Sequence, residues 1–183
     1  MFFFIFIKFK FLEDFINSTI ITSIQHENFM ENLFDGWKII NWKLLFKASE
    51  YFFSAKLFHE FCDEKGPTII LIKSKTGKMF GGYNPISWKS FNSKRYFAAN
   101  GSFLFSFDQK TKMPLISPSS QSAILFYNDI GPGFGGNLII SDFCDRNNDS
   151  FCSLGREFGI RSFFDEKEYF SVEEYEVFSF EIA

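Results

Sequence analysis

The sequence predicts an α+β fold that is mainly β, namely an antiparallel two-sheet β-sandwich flanked by short helices. Two segments with helical spacing of apolar residues occur before Pro67, and after it the apolar residues alternate or run together. Turn residues interrupt these later segments at short intervals, as in all-β domains. Because no helical crossover separates the later segments, we expect neighbouring strands to pair in antiparallel fashion.

Capping patterns place the two helices. Thr22 and Gln25 have the spacing of a capping box, ahead of apolar side chains that recur every three or four positions. A first helix is therefore predicted over about residues 24–34. Ser54 is the predicted N-cap of a second helix, over residues 55–62, which ends at an acidic segment and a Gly-Pro pair.

Strands are predicted wherever apolar residues alternate or run together between turns. Residues 68–72 form a continuous apolar run, which suits a strand that is buried on both faces. Phe103, Phe105 and Phe107 alternate with other residue types, so we expect them to face the core between the two sheets. The remaining predicted strands span residues 42–48, 79–83, 113–116, 123–127, 138–141 and 174–182.

Length and composition indicate one globular domain without a membrane span. Of the 183 residues, 46% are hydrophobic and 22% are charged, close to the average of soluble domains. The 30 phenylalanines are unusual, yet no apolar run approaches the ~20 residues of a transmembrane helix. Residues 1–7 are apolar, but the positive charge follows them, whereas in a secretory signal it precedes the apolar run. We expect residues 18–183 to form the domain, with residues 1–17 as an unassigned N-terminal extension.

The charges argue against nucleic acid as a partner and are unevenly distributed along the chain. A net charge of −3 does not suit a protein whose main role is to neutralise phosphates. Lysine and arginine dominate residues 65–112, and acidic side chains dominate residues 165–183. The basic stretch is expected to be a solvated strand face, in which lysines block edge pairing.

The cysteines argue against a disulfide framework. Cys62, Cys144 and Cys152 are odd in number and widely spaced, which favours a reducing compartment. His59 together with the cysteines could supply four zinc ligands, but the chain contains no C-x-x-C pair. We therefore expect His59 at the surface and Cys62 in the core, with no metal bound.

Two spacings resemble ligand-binding loops but lack decisive residues. Residues 131–136 match G-x-G-x-x-G, yet a strand follows them and Pro132 removes a backbone donor, so a glycine hairpin loop is expected. Residues 145–149 resemble the start of an EF-hand, but Ser150 replaces the required glycine and Arg156 the bidentate glutamate. The G-x-S-x-G, H-E-x-x-H and P-loop patterns do not occur, so we expect no enzyme and no cofactor.

Five motifs resemble the TLDc domain family in residue type and in order. These motifs lie in residues 58–68, 78–88, 103–106, 131–142 and 170–178. The resemblance covers roughly residues 18–181. The positions that it assigns to a structural or an interaction role are Gly66, Pro67, Gly81, Gly82, Asn84, Pro85, Trp88, Gly131, Gly133, Gly135 and Gly136.

The resemblance implies a β-sandwich with short helices in an intracellular, non-enzymatic protein. The family is associated with oxidation resistance, and several members bind the vacuolar proton-pumping ATPase. A cytoplasmic location is therefore implied, with attachment to vacuolar or endosomal membranes through a partner. The chain departs from the family after Gly136, where Asn137 and Leu138 follow directly in place of a His-Asp pair.

Two hypotheses of function follow. In the first, the chain is a protein-binding module whose partner is a vacuolar ATPase subunit, and Glu173, Glu174 and Glu176 are the candidate contact residues. These acids could instead belong to a core strand and only keep its edge soluble. In the second hypothesis, the chain is a redox enzyme or scavenger that uses one of its three cysteines.

Overall fold

Three antiparallel sheets and two short helices make up the computed structural model, which describes residues 15, 17–34, 36–153, 157–159 and 169–183. The helices are α1 (Ile24–Leu33) and α2 (Ala55–Cys62), and a 3-10 helix spans Ala48–Tyr51. The strands are β1 (Ile39–Lys47), β2 (Thr68–Ser74), β3 (Met79–Asn84), β4 (Arg95–Phe97), β5 (Phe103–Ser106), β6 (Thr111–Pro114), β7 (Ile124–Phe126), β8 (Ile130–Phe134), β9 (Leu138–Ser141), β10 (Ser150–Cys152), β11 (Tyr169–Phe170) and β12 (Val172–Ile182).

The strand order confirms the predicted mainly-β α+β fold. Six strands form a central sheet in the order β1-β12-β2-β3-β5-β6, four form a sheet in the order β11-β10-β9-β8, and β4 pairs with β7. Neighbouring strands in these sheets are antiparallel. The second layer of the sandwich is thus divided into two smaller sheets.

The central sheet is buried on both of its faces. Successive side chains of a strand point to opposite faces, and in β2 they enter two separate apolar clusters. Ile70 and Ile72 belong to the cluster shared with the smaller sheets, which we call the sandwich core. Ile69 and Leu71 belong to the cluster shared with α1, which we call the helix-side core. This confirms the prediction that residues 68–72 form a strand buried on both faces.

The phenylalanines in and directly after β5 lie on the opposite face from the one that we predicted. Phe103, Phe105 and Phe107 are all buried in the helix-side core, where the Phe29 ring of α1 lies 5.1 Å from that of Phe107. Leu104, between them, enters the sandwich core. Alternation distinguishes two faces, but it does not say which face meets the other sheet when both are covered.

The glycine segment begins with a strand, where we expected a hairpin loop throughout. Residues 130–134 form β8, and the turn into β9 follows at Gly135, whose φ is +55°. Pro132 is tolerated because β8 is the edge strand of its four-stranded sheet, where one side of the backbone needs no sheet partner. Similarly, Ser150 belongs to β10 and not to an exposed loop.

The helices begin and end close to their predicted positions. Ser23, and not Thr22, is the N-cap of α1, and its hydroxyl accepts a hydrogen bond from the His26 amide. Ser54 caps α2 as predicted, and its hydroxyl accepts from the Leu57 amide. In the part of the chain that the structure describes, no helix is both long and apolar enough to cross a membrane.

We expect Gly81→Ala to lower the free energy of unfolding by about 1–3 kcal/mol, because β3 has no space for a methyl group there. A β-carbon at Gly81 would collide with the Ile70 carbonyl oxygen and lie 2.6 Å from the Phe105 ring. Gly136→Ala is the matched control, since nothing lies within 4 Å of its β-carbon position. Chemical denaturation of both variants measures the difference, and equal midpoints would contradict the packing described for β3.

Candidate functional site

Two of the glycine motifs meet between the sheets. A β-carbon at Gly82 would lie 2.5 Å from the Phe134 ring, and one at Gly133 would lie 2.9 Å from the Leu125 carbonyl oxygen. The Gly131 position faces β12, where the Tyr175 hydroxyl would be 3.3 Å from a β-carbon. These glycines therefore let large aromatic side chains and neighbouring backbone approach closely across the sandwich core.

The motif around Trp88 is also placed in the interior. The Trp88 side chain is buried, and its indole Nε1 donates a hydrogen bond of 2.9 Å to the Thr68 hydroxyl of β2. Asn84 is buried as well, and its side-chain oxygen accepts from the Ile86 amide. Gly66, joined to Pro67 by a cis peptide bond, leaves no room for a β-carbon beside the Ile86 carbonyl. These contacts hold Trp88 and Asn84 in the interior and bring Gly66 close to the Ile86 backbone.

The structure places only one of the three candidate acids of β12 at the surface. Glu173 is exposed and pairs with Lys73 at 2.7 Å. Glu174 and Glu176 are buried, because β12 lies between β1 and β2 in the interior of the central sheet. The expectation of an exposed acidic segment thus needs correction, and the basic and acidic stretches of the sequence meet at the Lys73–Glu173 pair.

The buried carboxylate of Glu176 is supplied with hydrogen bonds by the N-terminal segment. The Thr19 amide donates to it at 2.7 Å and the Thr19 hydroxyl at 3.0 Å. The Ser18 hydroxyl donates to the other carboxylate oxygen at 2.5 Å. Since a buried charge is costly unless it is hydrogen-bonded, these donors stabilise Glu176 and attach residues 18–19 to β12.

The three cysteines are buried thiols, which does not suit the redox hypothesis. Cys62 and Cys144 are fully buried, and Cys152 is 4% exposed. Burial raises the pKa of Cys62 well above its ordinary value, and nearby Asp63 raises it further. Burial and Asp145 raise the pKa of Cys144 in the same way. Because the thiolate is the reactive form, both thiols are poor nucleophiles at neutral pH.

A buried histidine network was missed at the sequence level. His59 is 6% exposed, where a surface position was expected. Its Nδ1 lies 2.8 Å from Asp63, and its Nε2 lies 3.0 and 3.1 Å from the carbonyl oxygens of Tyr127 and Ile130. Because carbonyl oxygens only accept, Nε2 carries a proton. The spacing of His59 and Asp63 by four helical positions was the available signal.

This network holds α2 in place and does not form a nucleophile. The Ser90 hydroxyl donates to the second oxygen of Asp63 at 2.6 Å, so the carboxylate lies between the serine and His59. In a hydrolytic triad, the imidazole lies between the serine and the acid. The same residues line an open polar cleft of about 530 Å³. Among the described residues, no group of three or more His, Cys, Asp or Glu side chains is arranged to hold a metal ion.

We expect the pH dependence of stability to change in Glu174→Gln. Burial raises the pKa of Glu174, whose carboxylate accepts from the Ser49 amide at 3.1 Å, and nearby Glu176 adds repulsion. The folded state thus holds this proton more tightly than the unfolded state, and stability falls as pH rises above the ordinary pKa of 4.5. Denaturation midpoints between pH 4 and 8 should show a smaller fall for the variant, which keeps an acceptor oxygen.

Glu173→Gln is the matched control for this measurement, because it removes an exposed carboxylate from the same strand. An equal pH dependence in the wild type and in Glu174→Gln would show that Glu174 does not contribute the expected loss of stability.

The comparisons with known proteins agree with the motifs. A search of curated proteins finds no match to this chain. The family comparison matches the TLDc domain over residues 15–181, and the five sequence motifs lie within this range. Since the match covers nearly the whole chain, the chain belongs to the TLDc domain family.

Proposed function

We propose that this chain is a non-enzymatic protein-binding module that contributes to oxidative-stress resistance by binding a subunit of the vacuolar proton-pumping ATPase. The observation that carries this proposal is the family match over residues 15–181. The TLDc family is generally linked to oxidative stress and to this ATPase. The proposed location is the cytoplasm, with attachment to the vacuolar or endosomal membrane through the partner.

The geometry of the reactive side chains supports a binding role. Asp63 hydrogen-bonds to both His59 and Ser90, and His59 also bonds to the backbone, an order unsuited to nucleophilic catalysis. Gly81, Gly82, Gly133 and Trp88 are buried, so a partner cannot reach them. A partner must therefore recognise the outer surface of the domain. Of the three candidate acids named from the sequence, Glu173 is accessible there.

We propose that the partner contacts the surface around Lys73 and Glu173. Lys73 lies on β2 and Glu173 on β12, and their side chains are 33% and 50% exposed. Exposed ion pairs contribute little to stability, so stabilisation of the fold is a weak explanation for the Lys73–Glu173 pair. Exposed charges steer the encounter of two proteins and determine which partners are accepted.

The test is capture of the ATPase from detergent-solubilised vacuolar membranes by the immobilised chain. The double variant Lys73→Glu with Glu173→Lys keeps an ion pair within the domain but exchanges the positions of the two charges. We expect it to fold normally and to capture several-fold less ATPase. Partner groups that attract Lys73 and Glu173 in the wild type would then face charges of their own sign. Capture by the wild type should weaken with salt, since exposed charges are screened over ~10 Å at 0.1 M.

Glu60→Lys is the control, because it reverses an exposed charge on α2. If the double variant captures the ATPase with unchanged affinity and salt dependence, the Lys73–Glu173 pair is not part of the interface. If the folded wild type captures no ATPase, the proposed partner is wrong.

The redox alternative is tested by thiol titration of the native chain. We expect all three cysteines to react with an aromatic disulfide reagent many-fold more slowly than in denaturant, because burial makes them inaccessible and also raises the pKa of Cys62 and Cys144. The rate of absorbance change at neutral pH measures this difference. A cysteine that reacts in the native chain as fast as in denaturant would favour the redox hypothesis.

A further inference from the structure

An aromatic cavity lies at the C-terminal end of α1, apart from the surface around Lys73 and Glu173. Its volume is about 300 Å³, at the lower end of the range for small-molecule sites. Side chains from α1, β3, β5, β6 and the segments beside them contribute to its walls. The lining residues that carry the argument are Phe34, Trp37, Tyr83, Ser102, Phe103 and Lys112.

The walls of the cavity are held by ring contacts centred on Phe34. Its ring centroid lies 5.4 Å from that of Trp37, 5.3 Å from Tyr83 and 5.5 Å from Phe103. Tyr83 and Phe103 are each 4% exposed, whereas Trp37 is 44% exposed. The cavity thus has an ordered apolar interior and one indole side that remains open to solvent, which suits a flat apolar molecule.

Lys112 supplies positive charge at this cavity. Its ammonium donates to the Leu33 carbonyl at 2.5 Å and lies 4.4 Å from the centroid of the Phe103 ring. Leu33 is the last residue of α1, and the carbonyls of a helix C-terminus attract a cation. The ammonium has three N–H donors, so the Leu33 contact leaves capacity for a further acceptor.

A buried hydroxyl beside the cavity lacks a partner. Ser102 is 1% exposed, and its oxygen has no hydrogen-bond partner among the described residues. Burying a hydroxyl without a partner costs free energy, so a bound polar group would remove a penalty at this position. Burial raises the pKa of Tyr83, in the same wall, to about 12, so its phenol is neutral and brings no negative charge.

The charge at the cavity selects the class of ligand. Aromatic walls can also hold a cation, but the ammonium of Lys112 already occupies the face of Phe103 and would repel a second one. Among the described residues that line the cavity, Lys112 is the one with a charged side chain. We propose that the cavity binds a small molecule with a flat apolar body and one anionic group, with the body against Trp37 and the anion at Lys112.

The test compares two fluorescent probes that differ in charge. The anionic probe is 8-anilinonaphthalene-1-sulfonate, and the neutral probe is N-phenyl-1-naphthylamine. For the full chain, we expect Lys112→Met to weaken binding of the sulfonate roughly tenfold, the effect of one charge-assisted hydrogen bond. Binding of the neutral probe should change little, because methionine keeps an apolar stem. Lys112→Arg should retain binding of the sulfonate.

Two further variants locate the site. Trp37→Ala should weaken binding of both probes, and Lys65→Met, a control at an exposed lysine outside the cavity, should weaken neither. Because the sulfonate also binds partly unfolded chains, each variant is compared at a temperature well below its own melting temperature. Amide resonances of Gly101 and Lys112 should shift when the sulfonate binds to the wild type.

Three outcomes would overturn the proposal. The first is that the folded wild type binds neither probe. The second is that Lys112→Met binds the sulfonate as tightly as the wild type. The third is that the resonance shifts fall at residues away from the cavity. None of these outcomes bears on capture of the ATPase, which is proposed for Lys73 and Glu173.

Discussion

The structure depends on one steric constraint, the close approach of β3 to the chain segments on both sides of it. Gly81 meets the Ile70 carbonyl and the Phe105 ring, and Gly82 meets the Phe134 ring. Side chains at these two positions would separate the central sheet from its neighbours and open both apolar cores. A protein interior is close-packed. The large aromatic side chains beside β3 therefore fit only because glycine has no β-carbon at these two positions.

This constraint explains why the motifs that identify the family do not mark a reactive site. Trp88, Asn84, Gly81, Gly82 and Gly133 are buried in the interior, and the histidine network anchors α2 to the turn before β8. Several residues by which the family is recognised are thus inaccessible from the surface of the domain. The specificity of a protein-binding surface depends instead on exposed side chains, whose exchange leaves the core unchanged.

The sequence predicted the fold better than it predicted the surroundings of single residues. The apolar run of β2 and the helix at Ser54 were clear, because local periodicity and capping reflect short-range geometry. The burial of Glu176 was not visible, since its donors come from residues more than 150 positions away in the chain. The aromatic cavity could not be predicted either, because distant segments that carry no shared local pattern form it.

The hydrogen bonds between Glu176 and the segment at Ser18 and Thr19 also bear on where a shortened chain can begin. A fragment that started after Thr19 would bury the carboxylate of Glu176 without these donors, and removing one side of such an arrangement is strongly destabilising. Any shortened version intended for structural work has to retain Ser18 and Thr19.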